Sequence, residues 1–137
     1  MENFSEGIQE KQSKPAKRWV LVVDDEPGFR NLLQWVLSER GLNVQVARDG
    51  AEAVKLAKEG NFSLVVTDVT MPRLDGLKLL EQLKKEMPGT AVIVVTGFGT
   101  VETAVYAMKK GASDFILKPF DMGMFAKAVE EALPAGG

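Results

Sequence analysis

Residues 64–76, LVVTDVTMPRLDG, decide how this chain is read. Leu64, Val65 and Val66 form an unbroken apolar run, which suits a strand buried on both faces of a parallel sheet. The run delivers a carboxylate, Asp68, to its own end, followed by a loop marked by Met71-Pro72 and closed by Asp75-Gly76. A buried strand that carries an acid to its rim raises the question of what the other strands carry.

Working outward, the same alternation repeats on both sides. Trp19 to Val23 reads as a continuous apolar strand. Phe29, Leu32, Leu33, Val36 and Leu37 follow at helical spacing, stopped by Gly41. Val44 to Ala47 is a second strand, and Asp49 with Glu52 three residues on predicts a capping box for a helix through Lys58. Leu64 to Thr67 of the quoted stretch is the third strand, and Leu77, Leu80 and Leu83 mark the helix after it. Ala91 to Val95 is the most apolar strand. Thr100 opens a helix with an apolar stripe of Val101, Ala104, Val105 and Met108, ending at Gly111. Phe115 to Leu117 is the fifth strand, and Asp121 caps a last helix carrying Phe125, Ala128, Val129 and Ala132. Strands alternating with helices predict an α/β fold, a doubly wound five-stranded parallel sheet with five helices.

In such sheets ligands bind beyond the carboxyl ends of the strands. Those ends carry Asp24-Asp25-Glu26, Asp68, Thr96-Gly97 and Lys118-Pro119. If strands one and three are central neighbours, three carboxylates crowd one edge. Like charges at short range repel unless a cation compensates them. Carboxylates, a divalent cation, a lysine and a hydroxyl are equipment for handling a phosphoryl group, and an aspartate among them can be the nucleophile. Taken alone, Asp24-Asp25 could also be ordinary loop acids capping the first helix, since Pro27 sits where its first position would be.

Composition narrows the chemistry. The 137 residues contain no cysteine and no histidine, so thiolate chemistry, Cys-bound zinc and the usual proton shuttle are excluded, and any metal is held by oxygen. A hard cation such as Mg²⁺ is favoured. A net charge of −2 without a dense basic patch argues against direct binding of nucleic acid. Lys84-Lys85 and Lys109-Lys110 fall late in their helices, where cations complement the dipole. No apolar run approaches the roughly 20 residues that span a bilayer, and no signal peptide is visible, so a cytoplasmic protein without a membrane partner is expected. Residues 1–18 lack periodicity and are expected to form a flexible tail, residues 19–133 the folded domain, and residues 134–137 a C-terminal tail or truncated linker. GFGTVE at 97–102 lacks the third glycine of a dinucleotide fingerprint, and no P-loop lysine motif occurs.

The stretches VLVVDDE, DVTMPRLDG, VVTG and FILKPF, in this order, resemble the receiver domain of two-component response regulators over roughly residues 18–133. The resemblance implies a flavodoxin-like sheet of order 2-1-3-4-5 and a phosphoacceptor switch, not an enzyme with turnover of an external substrate. It implies Asp68 as the phosphoacceptor, with Mg²⁺ held by Asp25 and Asp68, by Asp24 through water, and by the carbonyl of Thr70. Thr96 and Lys118 would each bind a phosphoryl oxygen, and Phe115 would be the aromatic whose position reports the state of Thr96. The phosphoryl donor would be a sensor histidine kinase or a His-containing phosphotransfer protein. Homodimerisation through the fourth helix, fifth strand and fifth helix would follow activation. By the same resemblance residues 70 and 98 flank the approach of hydrolytic water. Thr70 and Phe98 offer it little help, which predicts a long-lived phosphoaspartate.

Two alternatives belong to other classes. A Mg²⁺-dependent phosphohydrolase with an aspartyl nucleophile typically needs a second acid two residues after the nucleophile, where this chain has Thr70. A degenerate receiver serving only for docking is disfavoured by the intact acids, Thr96 and Lys118. The segment TGFGTVETAVYAMKKGASDFILKPF is similar to receivers of nitrogen-regulator-type transcriptional activators. The 137 residues leave no room for the ATPase and DNA-binding domains of those proteins, so the expectation is a stand-alone receiver or a fragment cut at a linker.

Overall fold

The β-branched runs become five parallel strands, and the segments between them become the helices that cover the sheet. In chain order these are β1 (Trp19–Val23), α1 (Pro27–Glu39), β2 (Asn43–Ala47), α2 (Gly50–Glu59), β3 (Leu64–Thr67), α3 (Gly76–Glu86), β4 (Ala91–Thr96), α4 (Val101–Lys109), β5 (Asp114–Leu117) and α5 (Met122–Ala132). This computed structural model describes residues 18–69, 75–97 and 99–133. The expected tail before residue 18, the loop residues Thr70, Met71 and Pro72, Phe98, and residues 134–137 lie outside the described residues. Strands β1 and β3 have the bounds read from the sequence. Strands β2, β4 and β5 each gain one polar residue, Asn43, Thr96 and Asp114.

The sheet order is β2-β1-β3-β4-β5, with all neighbours parallel. Alternate residues of each strand feed two separate cores, as the period of two requires. Val20, Val22, Leu64, Val66, Ile93 and Val95 pack with Leu33 and Leu37 of α1 and Phe125 and Val129 of α5. On the opposite face Leu21, Val23, Val65, Val92 and Val94 pack with Ala53 and Ala57 of α2, Leu79, Leu80 and Leu83 of α3, and Ala107 of α4. Both faces are therefore covered, which is why the strands are unbroken apolar runs. Strand order reverses between β1 and β3, with the chain progressing outward to β2 on one side and to β4 and β5 on the other, so the switch point lies between their carboxyl ends.

Helix ends follow local chemistry. Asp49, Asp75 and Asp121 cap α2, α3 and α5 by accepting from the N–H of Glu52, Lys78 and Met124. The expected box at Asp49 is not reciprocal, because the Glu52 carboxylate accepts from the N–H of Arg48 instead. A reciprocal box forms at α4, where Thr100 and Thr103 exchange side-chain and backbone bonds. Gly41 and Gly111 take φ of 83° and 104° just past α1 and α4, a left-handed conformation that glycine adopts without strain. The stripe of Val101, Val105 and Met108 faces solvent, and Ala107 is the residue of α4 that reaches the core.

Candidate functional site

Parallel pairing brings the loaded strand ends together. Val23 of β1 pairs with Thr67 of β3, which pairs with Val94 of β4, while Thr96 pairs with Leu117 of β5. The next residue of β1 and of β3 is an aspartate, and that of β5 is Lys118. Backbone bonds extend the ladder past the strands: the Asp24 N–H donates to the Ala47 carbonyl, Asp68 N–H to Val23, and Lys118 N–H to Thr96. Asp24, Asp68 and Lys118 are thus set by the sheet, not by loose loops.

Asp24 and Asp68 are buried and Asp25 is exposed, and one carboxylate oxygen from each lies within 4.8 Å of the others. Lys118 Nζ donates to Asp24 Oδ2 at 3.0 Å and to Asp68 Oδ2 at 3.2 Å. Asp24 is fixed further: its Oδ1 accepts from the Glu26 N–H at 3.0 Å and its carbonyl accepts from Arg30 Nη1 at 2.9 Å. The reading of Asp24 as a helix cap does not hold, since Glu26 occupies the cap position of α1 and Pro27 starts the helix.

The electrostatics are unbalanced. Burial pushes the Asp24 carboxyl above its ordinary range and the Asp68 charge adds to this, while the Glu26 N–H and Lys118 pull it back. Burial alone would lower Lys118, but its bonds and attraction to Asp24 and Asp68 outweigh that and raise it. Three carboxylates against one ammonium leave two negative charges at one rim (−3 + 1 = −2). An all-oxygen set of this charge fits a hard divalent cation such as Mg²⁺. The Thr70 carbonyl expected to complete that set lies outside the described residues.

Thr96 is fully buried at the end of β4. It shares a sheet face with Val94, and Val94 pairs with Phe115, so Phe115 lies on the same face one step back from Thr96. The Phe115 ring is half-buried, and its edge meets the loop after β4. A Cβ added to Gly99 would fall 2.7 Å from Phe115 Cε2 and 2.6 Å from Leu117 Cδ2. Phe98, expected to influence hydrolysis, lies outside the described residues.

Gly76 answers why the loop after Asp68 closes on a glycine. Its N–H donates to the Val69 carbonyl at 2.8 Å, and a Cβ there would stand 1.8 Å from the Asp68 carbonyl oxygen. The first turn of α3 therefore packs directly on the backbone that carries the acid, an approach only glycine permits. The sequence drew attention to Asp75-Gly76. It gave no sign of Phe29, whose ring lies under Lys118 with Nζ 4.0 Å from the centroid.

Comparison with known proteins identifies the family and the fold. Residues 20–130 match the response regulator receiver domain family. A putative NtrX-like response regulator of Rickettsia conorii (strain ATCC VR-613 / Malish 7) is 45% identical over 104 residues, which are 74% of this chain and 22% of that protein. The receiver domain of NtrX from Brucella abortus superposes with a TM-score of 0.80 at 39% identity, covering 85% of this chain and 99% of that one. The beryllofluoride-activated NtrC4 receiver domain dimer gives a TM-score of 0.80 at 42% identity, covering 84% and 95%. The chain spans about a quarter of the length of the curated relatives it matches. With the family model matched over most of its length and the sheet order shared with solved receivers, the chain belongs to the response regulator receiver domain family, a family of phosphoacceptor signalling domains.

Proposed function

We propose that this domain is a switch set by transfer of a phosphoryl group from a partner's histidine to Asp68. The observation that carries the reading is the convergence of Asp24, Asp25 and Asp68 on one rim with Lys118 bonded to two of them. An ionised Asp68 oxygen attacks phosphorus in line, forming a P–O bond as the donor's P–N bond breaks. The electron pair stays on the leaving imidazole nitrogen. The nucleophile needs no proton removed, which suits a chain without histidine. Asp24, Asp25 and Asp68 would hold Mg²⁺, whose charge would offset both the acids and the incoming phosphoryl oxygens.

Lys118 would exchange a carboxylate for a phosphoryl oxygen, and the Thr96 hydroxyl would bond another. Drawing Thr96 toward the phosphoryl group frees space on the face it shares with Phe115, which would turn inward and alter the surface of α4, β5 and α5. Thr70 and Phe98 would leave hydrolytic water without an amide or carboxylate to orient it, giving a long-lived phosphoaspartate suited to slow outputs such as transcription. A self-contained phosphohydrolase is the weaker reading, because residue 70 is not the second acid that turnover uses.

Asp68→Asn tests the reading. The variant should keep the fold and gain no acid-labile phosphate from acetyl phosphate and Mg²⁺, as read by intact mass. Equal labelling of variant and wild type would refute the assignment.

A further inference from the structure

The carboxylates are only two of the neighbours of Lys118. Its ammonium also lies over the face of Phe29, 4.0 Å from the ring centroid, well inside the range at which a cation is attracted to an aromatic face. The ring is itself held in place. Phe29 meets Phe120 edge-on at 5.7 Å and 89°, and Phe120 packs at 5.3 Å against Phe125, which is completely buried. Phe29 belongs to α1, Phe120 to the turn after β5, and Phe125 to α5. Three separate segments therefore form an aromatic column from the core to the underside of the lysine.

A lysine side chain is a flexible stem that directed bonds must hold in place. Here the two carboxylates holding it are the groups that the reaction draws on. A phosphoryl group arriving at Asp68, and a cation among the acids, both compete with Lys118 for these oxygens. The Phe29 face is the neighbour whose attraction does not depend on what occupies the acids. We propose that Phe29 is a positioning residue for phosphotransfer, keeping the Lys118 ammonium over the site while it changes partner from carboxylate to phosphoryl oxygen. This rests on the reading of Asp68 and Lys118 given above.

The test compares initial rates of phosphorylation of the full chain by acetyl phosphate with Mg²⁺, followed by intact mass, with melting temperatures recorded for every variant. Phe29→Leu fills similar space without an aromatic face and should slow labelling about threefold to tenfold. Phe29→Tyr and Phe29→Trp keep the face and should stay within about twofold of wild type. In a Lys118→Met background Phe29→Leu should cost nothing further, because the group it positions is gone. Where the Lys118→Met rate falls below detection, the aromatic rescue decides alone. Wild-type rates in Phe29→Leu, no rescue by either aromatic, or the same loss on top of Lys118→Met would overturn the inference while leaving the phosphoacceptor reading intact. A wild-type chain that gains no label, or an Asp68→Asn variant that labels equally, overturns that reading and this inference with it.

Discussion

At the scale of single residues, Asp24 carries the tension of the site. It is only 2% exposed, close to a second buried acid, and its carboxyl is pushed above the ordinary range chiefly by burial. A carboxyl raised in this way binds protons more tightly folded than unfolded, so its penalty is fully present above the folded pKa and fades as pH falls through it. Asp24→Asn removes the charge while keeping an acceptor for the Glu26 N–H. Without metal, the variant should melt a few degrees above wild type at pH 7, and the gap should close as the pH is lowered toward the ordinary carboxylate range. Millimolar Mg²⁺ should reverse the ranking, since a ligand bound only by the folded state stabilises most the chain that binds it best. Thermal melts across pH with and without Mg²⁺ check this; a wild type more stable than the variant in metal-free buffer at pH 7 would contradict it.

Among the elements, α4 is the one least committed to the core. It buries Ala107, whereas α3 buries Leu79, Leu80 and Leu83, and α5 buries Phe125 and Val129. Each fully buried large apolar side chain is worth about 1.5–3 kcal/mol, so α4 is held far more weakly than its neighbours. A lateral tie compensates: the Tyr106 hydroxyl donates to the Glu81 carboxylate of α3, which keeps that hydroxyl from ionising in its usual range. Hydrogen exchange should show α4 opening faster than α3 and α5, and Tyr106→Phe should speed it further while leaving α1 unchanged. Protection of α4 equal to that of α5 would refute the argument. This helix also marks the limit of what the sequence discloses. Its periodicity identified a helix and a stripe, but period alone cannot say whether Val101, Val105 and Met108 meet a sheet or solvent. The strand ends were legible because a buried strand that stops on an acid or lysine violates its own apolar pattern. Phe29 was not, because its spacing fits ordinary core packing and its partner Lys118 lies far along the chain. Glu52 has the right spacing for its box, and only geometry shows it turning to Arg48.

For the whole molecule, the proposed function would make the rim and the exposed face of α4 and β5 two ends of one device. Asp68 and Thr96 sit at the carboxyl edge, Phe115 lies on the face that Thr96 shares, and Gly99 leaves no space between Phe115 and the loop that starts α4. A movement of Phe115 or Leu117 toward Gly99 would therefore displace that loop, because not even a methyl group fits between them. Beyond them lies an apolar surface of Val101, Val105, Met108 and Leu117, exposed by 80%, 48%, 48% and 53%, and it needs a reason to face water. On the proposed function a second copy of the chain would be an occupant of matching chemistry, and a gap of a few kcal/mol between two arrangements of α4 would be enough for phosphorylation to control pairing. Light scattering should find a monomer in Mg²⁺ alone and a shift toward dimer when beryllium fluoride is added to mimic the phosphoryl group. Val105→Asp, which places a charge in the middle of the patch without touching the rim, should abolish the shift while leaving labelling of Asp68 by acetyl phosphate unchanged. A monomer at high concentration under both conditions would separate the apolar face from the switch. Dimerisation that survives Val105→Asp would place the interface elsewhere on the molecule.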